Sequence, residues 1–161
     1  MRLTVYTDFS LRVLMFLALK DDGLATIAEV AKAYGISKNH LMKVAHQLGV
    51  AGYLETVRGK GGGLRLARRP QDIVIGEVVR RTEPDMALVP CFTSEDASCV
   101  ILPSCALRGA LAKARVAFLS TLDGCTLADL VRPRASLRKL LSFNPNGRPA
   151  MAQTSRSVRR G

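Results

Sequence analysis

The sequence predicts a mainly α chain with a small β-wing: a winged helix-turn-helix followed by a long helix suited to dimerisation. Three observations predict it. Two short helical patterns are joined by a glycine-containing turn, Tyr34-Gly35-Ile36-Ser37. Two alternating segments then flank the glycine-rich run Arg58-Gly59-Lys60-Gly61-Gly62-Gly63. Finally, a helical pattern of about 17 residues after Ser104 is too long to bury its faces on so small a domain.

Each element has its own signals. Thr7 is a suitable N-cap for a first helix, with Asp8 in the first turn, where the helix dipole favours a carboxylate. Phe9, Val13, Phe16 and Leu17 recur at helical spacing, and Asp21-Asp22-Gly23 ends the run. Thr26 and Glu29 form a capping-box pair ahead of Ile27, Val30, Ala31 and Tyr34, and Gly35 fits the C′ position. Ser37 caps a third helix whose apolar side is Leu41, Val44, Ala45 and Leu48, ended by Gly49. Taken alone, this piece also fits an ordinary αα-hairpin. The strands Tyr53–Val57 and Leu64–Ala67 with their glycine-rich tip add the wing. That tip is no phosphate-binding loop of the nucleotide type, since it lacks a Gly-Lys-Ser/Thr ending and a following helix.

Pro70 to Asp72 form a connection, and Ile73 to Arg81 a short helix starting near Ile75. Residues 83–104 carry Pro84, Pro90 and Pro103, show no sustained period and hold three of the four cysteines; a loop of that length in a compact domain is usually functional or disordered. Ser104 caps the long helix, with Leu107, Leu111, Ala114, Phe118 and Leu122 along it. Thr126 caps a short helix over Leu127–Val131, and Ser136 to Leu141 form another. The expected organisation is a DNA-binding region over 1–69, a cysteine loop and dimerisation helix over 70–141, and a basic, disordered tail over 142–161.

The net charge is +11 and unevenly spread. Residues 1–69 hold 11 Lys/Arg against 5 Asp/Glu, residues 70–131 hold 5 against 8, and residues 132–161 hold 8 and no acid. The first segment therefore suits a polyanion, with nucleic acid the natural partner. No apolar run approaches the ~20 residues needed to cross a bilayer, and the N-terminus has no secretory leader pattern. A cytoplasmic chain without membrane contact is expected, with its cysteines reduced and available as ligands rather than as disulfides.

Cys91-x7-Cys99-x5-Cys105 is the constellation that carries chemistry. Thiolates are soft donors for iron–sulfur clusters, zinc or copper(I). Structural zinc sites usually use tight Cys-x2–4-Cys knuckles, which are absent here. Three unligated thiols are the bland alternative. Cys125 lies apart, between the long helix and the cap that follows, and reads as structural. For DNA, the first turns of the third helix should meet base edges in a major groove, which points to Ser37, Lys38, Asn39, His40 and Lys43. Arg58 and Lys60 on the wing should enter a minor groove or meet phosphates.

The opening Met-Arg-Leu-Thr-x-x-Thr-Asp, the runs Ser37–Leu41, Gly52-Tyr53-Leu54 and Val57–Gly63, and the ending Thr126–Val131 together resemble the family of iron–sulfur repressors that contains NsrR, IscR and RirA, with the nitric-oxide-responsive NsrR group the nearest in motif. The resemblance covers residues 1 to about 141, in the expected order of wing, cysteine loop and ending. It implies a homodimer on a palindromic operator and a 4Fe–4S cluster per subunit, with a 2Fe–2S cluster as the alternative. It implies three thiolates from Cys91, Cys99 and Cys105 and a fourth ligand from Asp8 of the partner subunit. It also implies release from DNA when the cluster is nitrosylated by nitric oxide. IscR-like members use a histidine soon after the third cysteine; Leu107-Arg108 stand there, against that subtype. The seven-residue first gap also resembles RirA-type iron regulators, so iron status competes with nitric oxide as the signal. A metal-free winged-helix module remains a further alternative. Nothing in the chain supports an enzyme, for it holds no second cysteine set, nucleotide fingerprint or catalytic acid–base group.

Overall fold

The computed structural model describes residues 2–20, 23–93 and 99–141. The basic tail over 142–161 and the Asp21-Asp22 helix stop lie outside the described residues.

Helix α1 (Val5–Leu19) starts three residues earlier than the sequence reading placed it. Thr4, not Thr7, is the N-cap: its backbone is extended and its side chain accepts from the Thr7 N–H at 3.2 Å. Thr7 sits inside the first turn with no exposed surface. The spacing Thr4-x-x-Thr7 offers two hydroxyls, and packing selects the first. α2 (Ile27–Tyr34) has the expected capping box, Thr26 with Glu29, and ends at Gly35, whose φ of 67° is the left-handed conformation that favours glycine. α3 (Lys38–Val50) follows with Ser37 at the N-cap, although the Ser37 side chain makes no capping hydrogen bond. Its buried positions are Leu41, Val44, Ala45 and Leu48, as the periodicity requires.

The wing is a two-stranded antiparallel hairpin, β1 (Leu54–Val57) and β2 (Gly63–Leu66), with Leu54 opposite Leu66 and Val57 opposite Gly63. An isolated bridge between Ala25 and Leu64 ties β2 to the segment before α2. Gly63 makes this approach feasible, since a Cβ there would fall 2.8 Å from the Ala25 carbonyl oxygen.

A 3-10 turn (Pro70–Asp72) leads into α4 (Ile75–Thr82), near the expected start. Two further 3-10 turns, Pro90–Phe92 and Leu102–Ser104, lie in the described parts of the cysteine segment. The long helix α5 (Ala106–Asp123) has Cys105, not Ser104, at its N-cap, because Ser104 is taken up in the preceding 3-10 turn. α6 (Leu127–Leu130) is capped by Thr126 with Asp129, and α7 (Arg134–Leu140) starts two residues before the expected Ser136.

One continuous core joins these elements. Val13, Leu14 and Leu19 of α1, Leu41 and Leu48 of α3, Val78 and Val79 of α4, and Leu127 of α6 are all at or near zero exposure in a single cluster. α5 contributes no buried residue, and Leu107 and Val116 on it are 65% and 62% exposed. None of the described helices is long and apolar enough to cross a membrane.

Candidate nucleic-acid interface and cysteine segment

The N-terminal half of α3 is presented to solvent. Ser37, Lys38, Asn39, His40 and Lys43 are all exposed. Lys38, Asn39 and Lys43 have no hydrogen-bond or ion-pair partner among the described residues, so their donors are free. His40 leans on Phe9 of α1, ring centroids 6.1 Å apart.

The wing tip is shaped by three glycines. Gly59 and Gly61 have φ of 99° and 81°, which side-chain-bearing residues rarely adopt. Gly62 is excluded from carrying a side chain for another reason: a Cβ there would fall 2.3 Å from the Val57 carbonyl oxygen and 2.9 Å from that of Gly59. Arg58 and Lys60 stand exposed on this tip without ion-pair partners among the described residues. Arg65, by contrast, faces Glu55 across the ladder at 3.1 Å. The wing's free cations are therefore at its tip, on the same chain segment that follows the exposed face of α3.

Asp8 lies in the first turn of α1, half-exposed, paired with Arg12 at 2.9 Å. Arg12 also lies over the Tyr34 ring, 5.6 Å from its centroid. Burial raises the Tyr34 phenol above its ordinary pKa, with Arg12 opposing and Asp8 reinforcing the shift. The residue before the capped turn, Thr4, is held from the far end of α4: Glu83 accepts from the Thr4 N–H at 2.8 Å and from its hydroxyl at 3.1 Å. This clamp joins the root of the cysteine segment to the head of α1, and no sequence signal pointed to it.

Cys91 is half-buried in the Pro90–Phe92 turn, Cys99 is exposed, and Cys105 is half-buried at the N-cap of α5. The Cys105 sulfur accepts from the Arg108 N–H at 3.4 Å, at the positive end of the helix dipole. Beside Cys91, the Phe92 ring lies under two guanidinium groups, Arg115 at 4.9 Å and Arg108 at 5.9 Å from its centroid. These contacts fasten the first cysteine's turn to α5, the helix that Cys105 caps. Four free thiols and cationic surroundings suit soft, anionic ligation, so the donor chemistry fits an iron–sulfur group. Among the described residues, however, no three His, Cys, Asp or Glu side chains are gathered closely enough to hold a metal ion. Cys125 is half-buried against the core, and its carbonyl accepts from the Ile75 N–H at 2.9 Å.

A helix-turn-helix, a hairpin wing and a trailing long helix, in this order, match a family model described as an iron-dependent transcriptional regulator over residues 3–133. The chain belongs to the Rrf2 family. Two similar relatives are both called HTH-type transcriptional regulator NsrR. That of Bacillus subtilis is 54% identical over 144 residues, covering 89% of this chain and 99% of that protein. That of Geobacillus kaustophilus is 53% identical over 142 residues, covering 88% and 97%. Among solved structures, CymR, the global cysteine regulator of B. subtilis, superposes with a TM-score of 0.67 at 25% identity, covering 81% of this chain and 95% of that one. IscR of T. potens does so at 0.64 and 23%, covering 82% and 87%, which is a likeness of fold. The Rrf2 relatives are transcriptional regulators, not enzymes, and this Rrf2 chain is a winged-helix transcriptional regulator.

Proposed function

We propose that this chain is a cytoplasmic, homodimeric repressor that holds an iron–sulfur cluster and leaves a palindromic operator when nitric oxide reaches that cluster. The observation that carries the reading is similarity at about half of all positions, over nearly the whole length, to regulators named NsrR. The free donors on α3 and the wing tip support the DNA-binding half of it. Ser37, Lys38, Asn39, His40 and Lys43 would read the major groove, and Arg58 and Lys60 would meet phosphates or the minor groove. The unburied α5, with Leu107 and Val116 exposed, supports pairing with a second copy.

Cys91, Cys99 and Cys105 would hold the cluster, taken as 4Fe–4S, one per subunit, with Asp8 of the partner subunit as the fourth ligand. When bound, the cluster supplies thiolate-held iron open to attack by nitric oxide. Asp8 can be spared for this: its pair with Arg12 joins two half-exposed groups, and such pairs hold only about 0–1 kcal/mol. Phe9, the next residue, touches His40 at the head of α3 with ring centroids 6.1 Å apart, and would carry a movement of that turn to it. The spacing of the two recognition helices would thereby depend on whether Asp8 is engaged.

The test uses full-length protein purified without oxygen. Iron and sulfide analysis should find a cluster, and fluorescence anisotropy on promoter DNA should show affinity falling after nitric oxide is added. Unchanged affinity rejects the switch. The family's description as iron-dependent favours a second reading, an iron-status regulator of the RirA kind. Release by an iron chelator but not by nitric oxide selects it.

A further inference from the structure

A cavity of about 220 Å³ opens between the C-terminal end of α3, the turn leading to β1, α1 and α4. Its polar walls are Tyr6, Gln47, Tyr53, Arg81 and Thr82, and its apolar side includes Leu48. Neither the DNA-reading surface nor the cysteine segment uses it.

Tyr53 is the anomaly. The residue is 1% exposed, yet among the described residues no group meets its hydroxyl in full hydrogen-bond geometry. Buried side-chain hydroxyls are rarely left so, and each case asks for an explanation. The Arg68 guanidinium covers the Tyr53 ring, 5.1 Å from its centroid, and is itself occupied by the Gly52 carbonyl at 3.0 Å. Arg81 comes from the last turn of α4 and forms no ion pair among the described residues. It lies near enough to act on the phenol both by charge and as a hydrogen-bond donor short of full geometry, and Glu77 acts by charge with the opposite sign. Glu77 is not on the cavity wall, and no carboxylate is. The Thr82 hydroxyl already donates to the Val78 carbonyl at 2.9 Å, so the walls offer phenol, amide and guanidinium donors and one permanent positive charge, with no carboxylate beside them.

We propose that this cavity binds a small oxyanion, of the phosphate or short carboxylate class, between the Tyr53 hydroxyl and the Arg81 guanidinium. A guanidinium presents paired donors to such groups, and a buried phenol supplies a third. The volume admits a phosphate-sized ion with room for a small organic substituent. Because α1, α3, the turn before β1 and α4 all border the cavity, its occupant would brace the recognition helix against the helix from which the cysteine segment departs.

Inorganic phosphate is the probe. Calorimetric titration of the full chain without DNA, against chloride at equal ionic strength, should show saturable binding of one phosphate per chain. Tyr53→Phe keeps the ring packing, and Arg81→Gln changes an exposed residue, so both should fold; each should weaken phosphate binding at least tenfold. Lys32→Gln removes the same charge from α2 and should leave binding unchanged. Failure of the unmodified chain to bind phosphate overturns the proposal. So does undiminished binding by both cavity variants, or equal weakening by Lys32→Gln, which marks a diffuse charge effect. If Tyr53→Phe melts at the same or higher temperature with and without phosphate, the hydroxyl serves no ligand and the proposal fails. Loss of DNA affinity in both variants without free-phosphate binding also overturns it, by moving the pair to the DNA surface.

Discussion

Replacing Gly62 by alanine should blunt the wing without unfolding the protein. The new methyl carbon would stand 2.3 Å from the Val57 carbonyl oxygen, 2.9 Å from that of Gly59 and 3.1 Å from the Arg58 carbonyl carbon. All three are backbone atoms, so no side chain can swing aside, and the tip must be rebuilt, breaking the Gly62 N–H to Gly59 carbonyl bond of 3.0 Å. Overpacking of this kind costs about 1–3 kcal/mol. The cost falls on the exposed tip rather than on the core around Leu14 and Leu41, so the protein should stay folded, with a melting temperature lower by about 2–4 °C per kcal/mol lost. The functional cost is larger, because Arg58 and Lys60 are carried on the distorted turn. Each phosphate contact contributes about 0.9 to the slope of log affinity against log salt, so losing both lowers the slope by about 1.8. Between 50 and 200 mM salt that difference amounts to about 12-fold in affinity. Fluorescence anisotropy with nonspecific duplex DNA at four salt concentrations reads it directly, and the Arg58→Ala/Lys60→Ala double variant, which leaves the backbone alone, should reproduce it. A salt slope unchanged in both variants would refute the placement of the wing on DNA.

Leu14→Ala, at a position with no exposed surface, should cost about 2–5 kcal/mol in urea denaturation, and a loss under 1 kcal/mol would show that the site collapses around the change. Gly76→Ala places a Cβ 1.9 Å from the Asp123 Oδ1 atom and 3.0 Å from its backbone nitrogen, at a cost of about 1–3 kcal/mol; adding Asp123→Ala should recover part of it, and no recovery would assign the clash to the backbone. Cys99→Ser should abolish iron and sulfide in anaerobically purified protein while Cys125→Ser, beside the core, should retain them; the reverse result would redraw the ligand set. Bonds from the Thr126 hydroxyl and backbone hold the Asp129 carboxyl below its ordinary pKa, as the Arg80 guanidinium holds that of Asp123. The stability they contribute is therefore complete above the usual carboxylate range and is lost as pH falls through it toward the lowered values. Urea midpoints should drop between about pH 5 and pH 2, and Asp129→Asn should flatten that drop.

The helices of the DNA-reading half were legible because their signals are local. A capping box at Thr26, a left-handed Gly35 and a four-residue apolar repeat in α3 need only neighbouring residues to be read. Errors arose where two residues compete for one role. Thr4 and Thr7 are both capping hydroxyls, and the choice is made by Glu83, 79 residues away, which bonds Thr4 and leaves Thr7 to be buried. Ser104 is a better N-cap by residue type than Cys105, but proline at position 103 draws it into a 3-10 turn. The cysteine positions were legible as residue types; their surroundings were not. Nothing in the spacing of Phe92, Arg108 and Arg115 announces that two guanidinium groups stack on one ring, since that contact joins a loop to a helix face.

The Tyr53 hydroxyl was illegible for a related reason. Tyrosine at the start of a strand next to a helix reads as core, and its ring is indeed buried. Whether its oxygen finds a partner depends on three elements distant in sequence, α1, α3 and α4, that meet only in the folded chain. A phenylalanine would fill the same space without the unmet hydroxyl, and replacing a buried unsatisfied group by an apolar one of similar shape is nearly neutral or stabilising. Within the described residues only the Arg81 guanidinium approaches that oxygen, short of full hydrogen-bond geometry, which gives little stability reason to retain it. That leaves its explanation on the side of what the cavity binds, which is why the phenylalanine variant is the most discriminating single change in this molecule.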